Sequence, residues 1–138
     1  MNSISNQTYI NTWLYTTIVM VVIMILIGGI TRLTDSGLSM VEWRPIWGFL
    51  PPITDEEWKR VFSLYMSSPE YIFKNQGMSI IEVKKIFFWE YFHRLWGRLI
   101  GIVFIIPLII FYLFNKIPNS ILLKLLTILI LLSLHEII

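Results

Sequence analysis

The sequence predicts an all-α integral membrane protein with about three transmembrane helices. Hydrophobic residues occupy 56% of the 138 positions and charged residues only 14%, and the mean hydropathy is +0.69. A soluble domain of this size would leave much of that apolar surface exposed, so a multi-pass membrane protein is the expected class. Three apolar segments, separated by more polar ones, set the expected number of helices.

Composition also excludes several classes of function. Cysteine is absent from the chain, which rules out disulfides, thiolate metal sites and thiol redox chemistry within it. The net charge is only +2 and the 11 Lys and Arg residues form no long run. No nucleic-acid partner is therefore expected, because such proteins carry a basic patch or stripe.

The first transmembrane helix is predicted over residues 13–30, which read WLYTTIVMVVIMILIGGI and follow a polar N-terminus at 1–12. These 18 residues carry no charge, and they are long enough to cross a hydrocarbon core of about 30 Å. Trp13 and Tyr15 stand where an interfacial aromatic belt is expected. The polar N-terminus contains no Lys or Arg, so neither a secretory signal nor a transit peptide is predicted.

Residues 31–86 are predicted to form a long polar loop that contains short amphipathic helices. Thr54 as N-cap and Glu57 three residues later have the spacing of a capping box. Ser68 followed by Pro69 predicts a second short helix. The face of the first helix suits either the membrane surface or the mouth of a bundle. That apolar face consists of Trp58, Val61, Phe62 and Tyr65.

The second transmembrane helix is predicted over residues 87–114, after a further capping box formed by Ser79 and Glu82. Pro107 lies inside its uncharged part and is expected to kink it. A third, partial transmembrane helix is predicted at 121–134, where one lysine interrupts the apolar run. The run after that lysine is short for a span, unless the lysine snorkels to the interface.

The start of the second helix reads FFWEYFHRLWGRLIG and carries four ionisable side chains. Such groups are costly in or beside lipid, so they usually mark a site. Glu90, Arg94 and Arg98 fall at i, i+4 and i+8, which allows an acid and two bases to pair on one stripe. His93 lies close to the same face. The pattern also fits an ordinary interfacial helix start, in which the arginines snorkel and the acid pairs locally.

His93 is the candidate metal ligand. An imidazole beside Gly97 and Gly101 in a membrane helix fits a buried haem, which needs a neutral nitrogen at the iron and room for the macrocycle. Arginines at the membrane boundary can hold the propionates in bidentate fashion. The other histidine, His135, stands near the chain end and is not expected to be a ligand.

Three motifs together resemble haem A synthase, in the form found in mitochondria and alphaproteobacteria. They read GGITRLTDSGLS, EWRP and EYFHRLWGR, and the similarity extends through most of residues 13–114. The resemblance implies that the chain is part of a four-helix half of an eight-helix bundle. It also implies an oxidoreductase that converts a methyl group of haem O to the formyl group of haem A, the haem used by cytochrome c oxidase.

The resemblance also implies roles for individual residues. His93 matches the first histidine of the N-terminal haem-binding pair, and Glu90 matches the glutamate beside the haem edge that is oxidised. Residue chemistry adds Arg94, Arg98 and Arg32 as the expected cofactor-binding partners of His93. For Arg32, the role of an ordinary arginine at a helix end is an equal alternative. Haem O is the implied substrate and haem A the implied product, whereas haem b is expected only in the C-terminal half of the family's fold.

The sequence departs from the family pattern in length, because only three of eight expected helices are present. The chain alone is therefore expected to be an incomplete and inactive fragment. Two alternatives stay open: a non-enzymatic haem-binding membrane module, and a degenerate remnant without function. Glu90 separates the first alternative from the enzyme, because only the enzyme needs that carboxylate for turnover.

The expected location is the bacterial inner membrane, with a cytoplasmic N-terminus and a periplasmic first loop. The positive-inside rule gives the opposite orientation, because seven Lys and Arg residues lie in 31–86. We follow the resemblance here, since a loop this long is at the limit of that rule. Expected partners are haem O and membrane lipid, with haem O synthase and a second copy of the chain as further candidates.

Overall fold

The computed structural model describes residues 3–42 and 50–135, and within these ranges it contains five α-helices and no strand. The all-helical fold class predicted from the sequence is therefore confirmed. In chain order the helices are α1 (Ser3–Leu33), α2 (Asp55–Met66), α3 (Pro69–Phe73), α4 (Ile80–Leu113) and α5 (Asn119–His135).

Helices α1 and α4 are long and apolar enough to cross a membrane. They contain 31 and 34 residues, which at 1.5 Å per residue is about 46 and 51 Å. Both exceed a hydrocarbon core of about 30 Å, so each helix has turns to spare beyond a span. Helix α5 has 17 residues and would extend about 26 Å, which makes it the shorter apolar helix.

The long helices begin outside their apolar segments because local signals start them earlier. At α4, Ser79 and Glu82 form the predicted capping box: the Ser79 N–H donates to Glu82 Oε2 at 2.8 Å and the Glu82 N–H to Ser79 Oγ at 3.4 Å. The helix consequently starts at Ile80, seven residues before the predicted start of the span. Helix α1 starts at Ser3, so most of the polar N-terminus is helical too.

The chain forms two compact units, and the first takes in the described residues up to Ile25 and from Trp96 onward. Its buried core consists of Trp13, Phe104, Leu108, Ile117 and Leu125. Trp13 is only 6% exposed, and its ring lies 5.3 Å from that of Phe104. The Trp13 indole thus lies between helices, whereas Tyr15 is 68% exposed, and the place of both residues in an interfacial belt stays a prediction.

Two indole groups tie α1 to α4 in this unit. The Trp13 Nε1–H donates to the Val103 carbonyl at 2.9 Å, and the Trp96 Nε1–H donates to the Met20 carbonyl at 3.0 Å. Buried indoles need such an acceptor. A backbone carbonyl on the neighbouring helix supplies that acceptor in both cases.

The second unit is Leu26–Leu95, and its core includes the first turns of α4. Tyr65 from α2 is fully buried against Val83 and Ile86, in the first turns of α4. The predicted capping box of Thr54 and Glu57 is present at the start of α2. The apolar face of α2 thus packs through Tyr65 on the first turns of α4. Its position on the membrane surface or at the mouth of a bundle stays a prediction.

Candidate functional site

The site is built on the segment that leaves α1. After Leu33 the chain turns through Asp35 and Leu38, which have φ angles of +49° and +68°. Aspartate tolerates this left-handed conformation, but leucine rarely adopts it, and such a residue costs roughly 1–3 kcal/mol. Ser36 and Ser39 on this turn are fully buried. Backbone hydrogen bonds to the last turn of α1 hold Asp35 and Ser36, whereas Glu90 bonds the residues that follow Leu38.

Glu90 is buried in α4, with only 4% of its surface exposed, and donors surround its carboxylate. Oε2 accepts from the Ser39 N–H at 2.6 Å, from Ser39 Oγ at 2.7 Å and from the Met40 N–H at 2.8 Å. Oε1 accepts from Arg94 Nε at 3.1 Å and from a terminal nitrogen of Arg94 at 2.6 Å. A buried charge is tolerated only when it is paired and hydrogen-bonded in this way.

The predicted pairing within the charged stripe is confirmed for Glu90 and Arg94. The Arg94 side chain is 28% exposed and that of Glu90 is 6% exposed, so the ion pair lies at the edge of the buried region. Arg98 belongs to the first unit and is half-buried, whereas Arg32 lies exposed in the last turn of α1. A haem-binding role for these arginines stays a prediction.

His93 is half-buried and lies against the backbone of α1. A methyl group added at Gly28 would stand 3.2 Å from His93 Nε2 and 3.6 Å from its Cδ2. Gly28 therefore leaves the space that the imidazole uses. Helices α1 and α4 meet here through a glycine and an aromatic nitrogen.

The donor set suits one axial position of a haem iron. Among the described residues, no group of three or more His, Cys, Asp or Glu could hold a metal ion, so a metal enclosed entirely by these side chains finds no place there. A single imidazole next to a glycine matches the need of a porphyrin iron for one nitrogen. In this conformation Nε2 faces Gly28, so ligation through Nε2 would require the imidazole to turn about its side-chain bonds.

Sequence reasoning missed Ser39 and the backbone of Met40. The GGITRLTDSGLS motif, which contains Ser39, contributes to the family resemblance but does not predict a bond to Glu90. The signal for a carboxylate-binding turn is the left-handed conformation at Leu38, which has no sequence signature for leucine. Part of the EWRP motif, namely Trp43, Arg44 and Pro45, lies outside the described residues.

A cavity of about 350 Å³ lies beside the site, between the loop and α2. Its lining includes Met40, Phe87 and the ion pair of Arg60 with Glu42, whose closest atoms are 2.6 Å apart. The hydrogen bond from Arg60 to Glu42, together with the charge of that carboxylate, raises the pKa of Arg60. The lining residues flank 43–49, which the structure does not describe.

Comparison with known proteins gives consistent matches. A family model described as cytochrome oxidase assembly protein, COX15-CtaA, matches residues 11–136. A protein of Paramagnetospirillum magneticum is 57% identical over 95 residues, which is 69% of this chain and 27% of that protein. Proteins of Caulobacter sp. strain K31 and Rickettsia bellii are each 50% identical, over 78% and 82% of this chain.

All three relatives bear the name "Heme A synthase". The chain spans 27%, 31% and 34% of their lengths, which is about a third of each. No solved structure matches the chain.

Proposed function

The chain belongs to the COX15-CtaA family of cytochrome oxidase assembly proteins, and from that premise we propose that it carries the haem O site of a haem A synthase. In this proposal the described helices are part of a four-helix half of an eight-helix bundle, with α1, α4 and α5 in the bacterial inner membrane. The N-terminus is cytoplasmic, and the loop with α2 and α3 is periplasmic. Haem O is the substrate and haem A the product.

The observation that carries the proposal is the buried carboxylate of Glu90, which accepts hydrogen bonds from Ser39, Met40 and Arg94. A charge in an apolar helix is costly, and replacing such a pair by apolar side chains is often neutral or stabilising. Stability alone therefore gives little reason to keep it. A chemical role for the carboxylate gives such a reason, three residues from the imidazole of His93.

The chemistry asked of these residues is modest. Oxidation of a methyl to a formyl group takes up one oxygen atom, from water, and releases four protons and four electrons to an oxidant outside this chain. The carbon becomes more positive as the electrons leave. The conjugated ring of haem O supplies the electronic system through which that charge is spread. A carboxylate held next to the carbon can stabilise the charge or accept a proton. His93 fixes the substrate by its nitrogen, and Arg32, Arg94 and Arg98 are the proposed partners of its propionates.

Turnover is proposed to require residues beyond this chain, because the matched regions cover only 27% and 34% of the lengths of two relatives. The second histidine of the haem O site and the haem b site would belong to that remainder. A separately made remainder or a second copy could supply a ligand, and haem O synthase is the proposed source of the substrate. By itself the chain would bind haem but would not complete the oxidation.

A haem titration of the purified chain in lipid nanodiscs tests the binding part. Wild-type protein should bind protohaem, used as the probe, with an absorbance change typical of a histidine-ligated iron. His93→Ala should weaken binding at least about 10-fold, in line with the loss of a metal ligand, and His135→Ala serves as the matched control. Equal affinity for wild type and His93→Ala would remove the proposed haem site.

Glu90→Gln tests the chemical part in an assembled synthase. The chain is co-produced with the remaining two thirds of a relative, and conversion of haem O is followed by chromatography. The variant should keep its haem while losing at least about 100-fold in turnover, a typical effect for a group that acts on the reacting atoms. Unchanged turnover would instead favour the non-enzymatic haem-binding module.

A further inference from the structure

The two oxygens of the Glu90 carboxylate are held in different ways. Oε2 accepts three hydrogen bonds from the loop, two of them from Ser39, which is fully buried. Oε1 accepts from Arg94, whose side chain is 28% exposed. One oxygen is therefore held by rigid, enclosed donors, and the other by a long side chain at the edge of the buried region.

Ser39 is suited to holding the Oε2 atom of Glu90 because it supplies two of the three donors by itself. Its N–H and its hydroxyl reach the same oxygen at 2.6 and 2.7 Å, and the adjacent Met40 N–H adds a third bond at 2.8 Å. The positive φ of Leu38, at +68°, brings the two successive N–H groups to that oxygen. Backbone strain of this kind is concentrated at functional sites, where it forms part of pre-organisation.

We infer that Ser39 is the positioning residue for Glu90, fixing Oε2 so that Oε1 is the oxygen available to a substrate. A free glutamate side chain has many rotamers, and holding one of them costs entropy that must otherwise be lost during reaction. Ser39 restricts the carboxylate in advance. Arg94 can then leave Oε1 without releasing the carboxylate, because three donors still hold Oε2. This inference rests on the proposed function only in naming the substrate that Oε1 faces.

The test is infrared spectroscopy of the chain in nanodiscs with isotope-labelled glutamate. Subtracting the spectrum of Glu90→Gln isolates the carboxylate bands of Glu90. Ser39→Ala should broaden these bands and move the antisymmetric stretch to higher frequency, because Oε2 loses one donor and the carboxylate gains rotational freedom. Circular dichroism of the same sample should show the helix content of the wild type.

Ser36→Ala is the matched control. Ser36 lies on the same turn and is also fully buried, but its hydroxyl pairs with Thr34. This variant should leave the Glu90 bands as in the wild type. Unchanged bands in Ser39→Ala would overturn the inference. An equal shift in both serine variants would also overturn it, because the effect would then come from the loop as a whole.

A second readout separates this inference from the proposed function. The midpoint potential of bound protohaem should differ between wild type and Ser39→Ala, and the difference should vanish when both proteins also carry Glu90→Gln. If His93→Ala binds haem as well as wild type does, the haem site is wrong, while the infrared shift still supports the positioning role. Normal haem binding with no infrared shift would overturn the positioning role alone.

Discussion

The indole N–H of Trp13 donates at 2.9 Å to the carbonyl of Val103, the one carbonyl of α4 that Pro107 leaves without its helical donor. In an α-helix the carbonyl of residue i accepts from the N–H of residue i+4, and proline has no N–H. Pro107 lies inside α4, four residues after Val103. A side chain of the neighbouring helix thus satisfies a carbonyl that would otherwise be unpaired inside the bundle.

This relationship predicts that the effects of Trp13→Phe and Pro107→Ala are coupled. Trp13→Phe keeps an aromatic ring next to Phe104 but removes the donor, which should lower the free energy of unfolding by about 1–3 kcal/mol. In a Pro107→Ala background the restored N–H can serve Val103, so the same substitution should cost less. Chemical denaturation in detergent micelles measures all four proteins of this cycle.

The expected coupling between the two positions is at least about 0.5 kcal/mol. Trp96→Phe is the control, because the Trp96 indole donates to Met20, a carbonyl of α1. Its cost should be the same with proline or alanine at 107. Additive effects of Trp13→Phe and Pro107→Ala would show that the indole bond does not compensate for the proline.

A second prediction concerns the contact of Gly28 with His93. Alanine replaces a helical glycine with a gain of roughly 0.5–1 kcal/mol, and Gly29→Ala should show that gain because nothing lies within 4 Å of the added methyl group. Gly28→Ala should gain less, because its methyl group would stand 3.2 Å from His93 Nε2 and the ring must move. Thermal unfolding gives both stabilities.

Nuclear magnetic resonance of histidine-labelled protein reports the same event directly. The His93 imidazole signals should shift in Gly28→Ala and stay in place in Gly29→Ala. Equal stabilisation by both substitutions, with unmoved His93 signals in both, would place the imidazole away from Gly28.

Local chemistry explains which parts of this structure the sequence could predict. Thr54 with Glu57 and Ser79 with Glu82 start α2 and α4 as predicted, because a capping box depends only on residues three apart. The hydrogen bond of Trp13 could not be predicted, because its acceptor, the Val103 carbonyl, lies ninety positions away. An aromatic residue near the end of an apolar run has the same local pattern whether it is buried or exposed.

In the candidate site too, the sequence predicts the local contact but not the long-range ones. The pairing of Glu90 with Arg94 follows from helical spacing and was predicted. The three bonds from Ser39 and Met40 were not, because they join residues about fifty positions apart and depend on a backbone conformation that leucine seldom adopts. Long-range polar contacts to backbone groups leave no periodic trace in a sequence.

A third prediction tests the cap of α2. Thr54→Ala removes the hydroxyl that accepts from the Glu57 N–H at 3.2 Å, which should destabilise the second unit by about 1 kcal/mol. Ser63→Ala deletes a hydroxyl within the same helix that bonds back to the Arg60 carbonyl, and this change should be neutral or slightly stabilising. Hydrogen exchange of the α2 amides measures both. Equal protection in the two variants would contradict a capping role for Thr54.

A fourth prediction concerns alkaline pH and the buried phenol of Tyr65. Burial raises the pKa of Tyr65, the hydrogen bond from Asn75 partly opposes this, and the charges of Glu70 and Glu90 add to it, as does neighbouring Tyr71. In the unfolded chain the phenol loses its proton near the ordinary pKa of about 10, whereas the folded unit retains it to higher pH. The unfolded state then binds fewer protons, so stability falls as the pH rises above about 10.

Tyr65→Phe should remove this alkaline loss, because phenylalanine has no proton to release. At neutral pH the variant should be less stable by about 1 kcal/mol, since the Asn75 side-chain amide, which donates to the phenol at 2.7 Å, loses its acceptor.

The matched control is Tyr15→Phe, at a side chain that is 68% exposed. Denaturation in detergent micelles between neutral pH and pH of about 11, which brackets the ordinary phenol pKa, should show a falling stability for wild type and Tyr15→Phe and a flatter profile for Tyr65→Phe. A profile for Tyr65→Phe as steep as that of the wild type would mean that another group titrates with unfolding, and that the buried phenol does not couple this unit to pH.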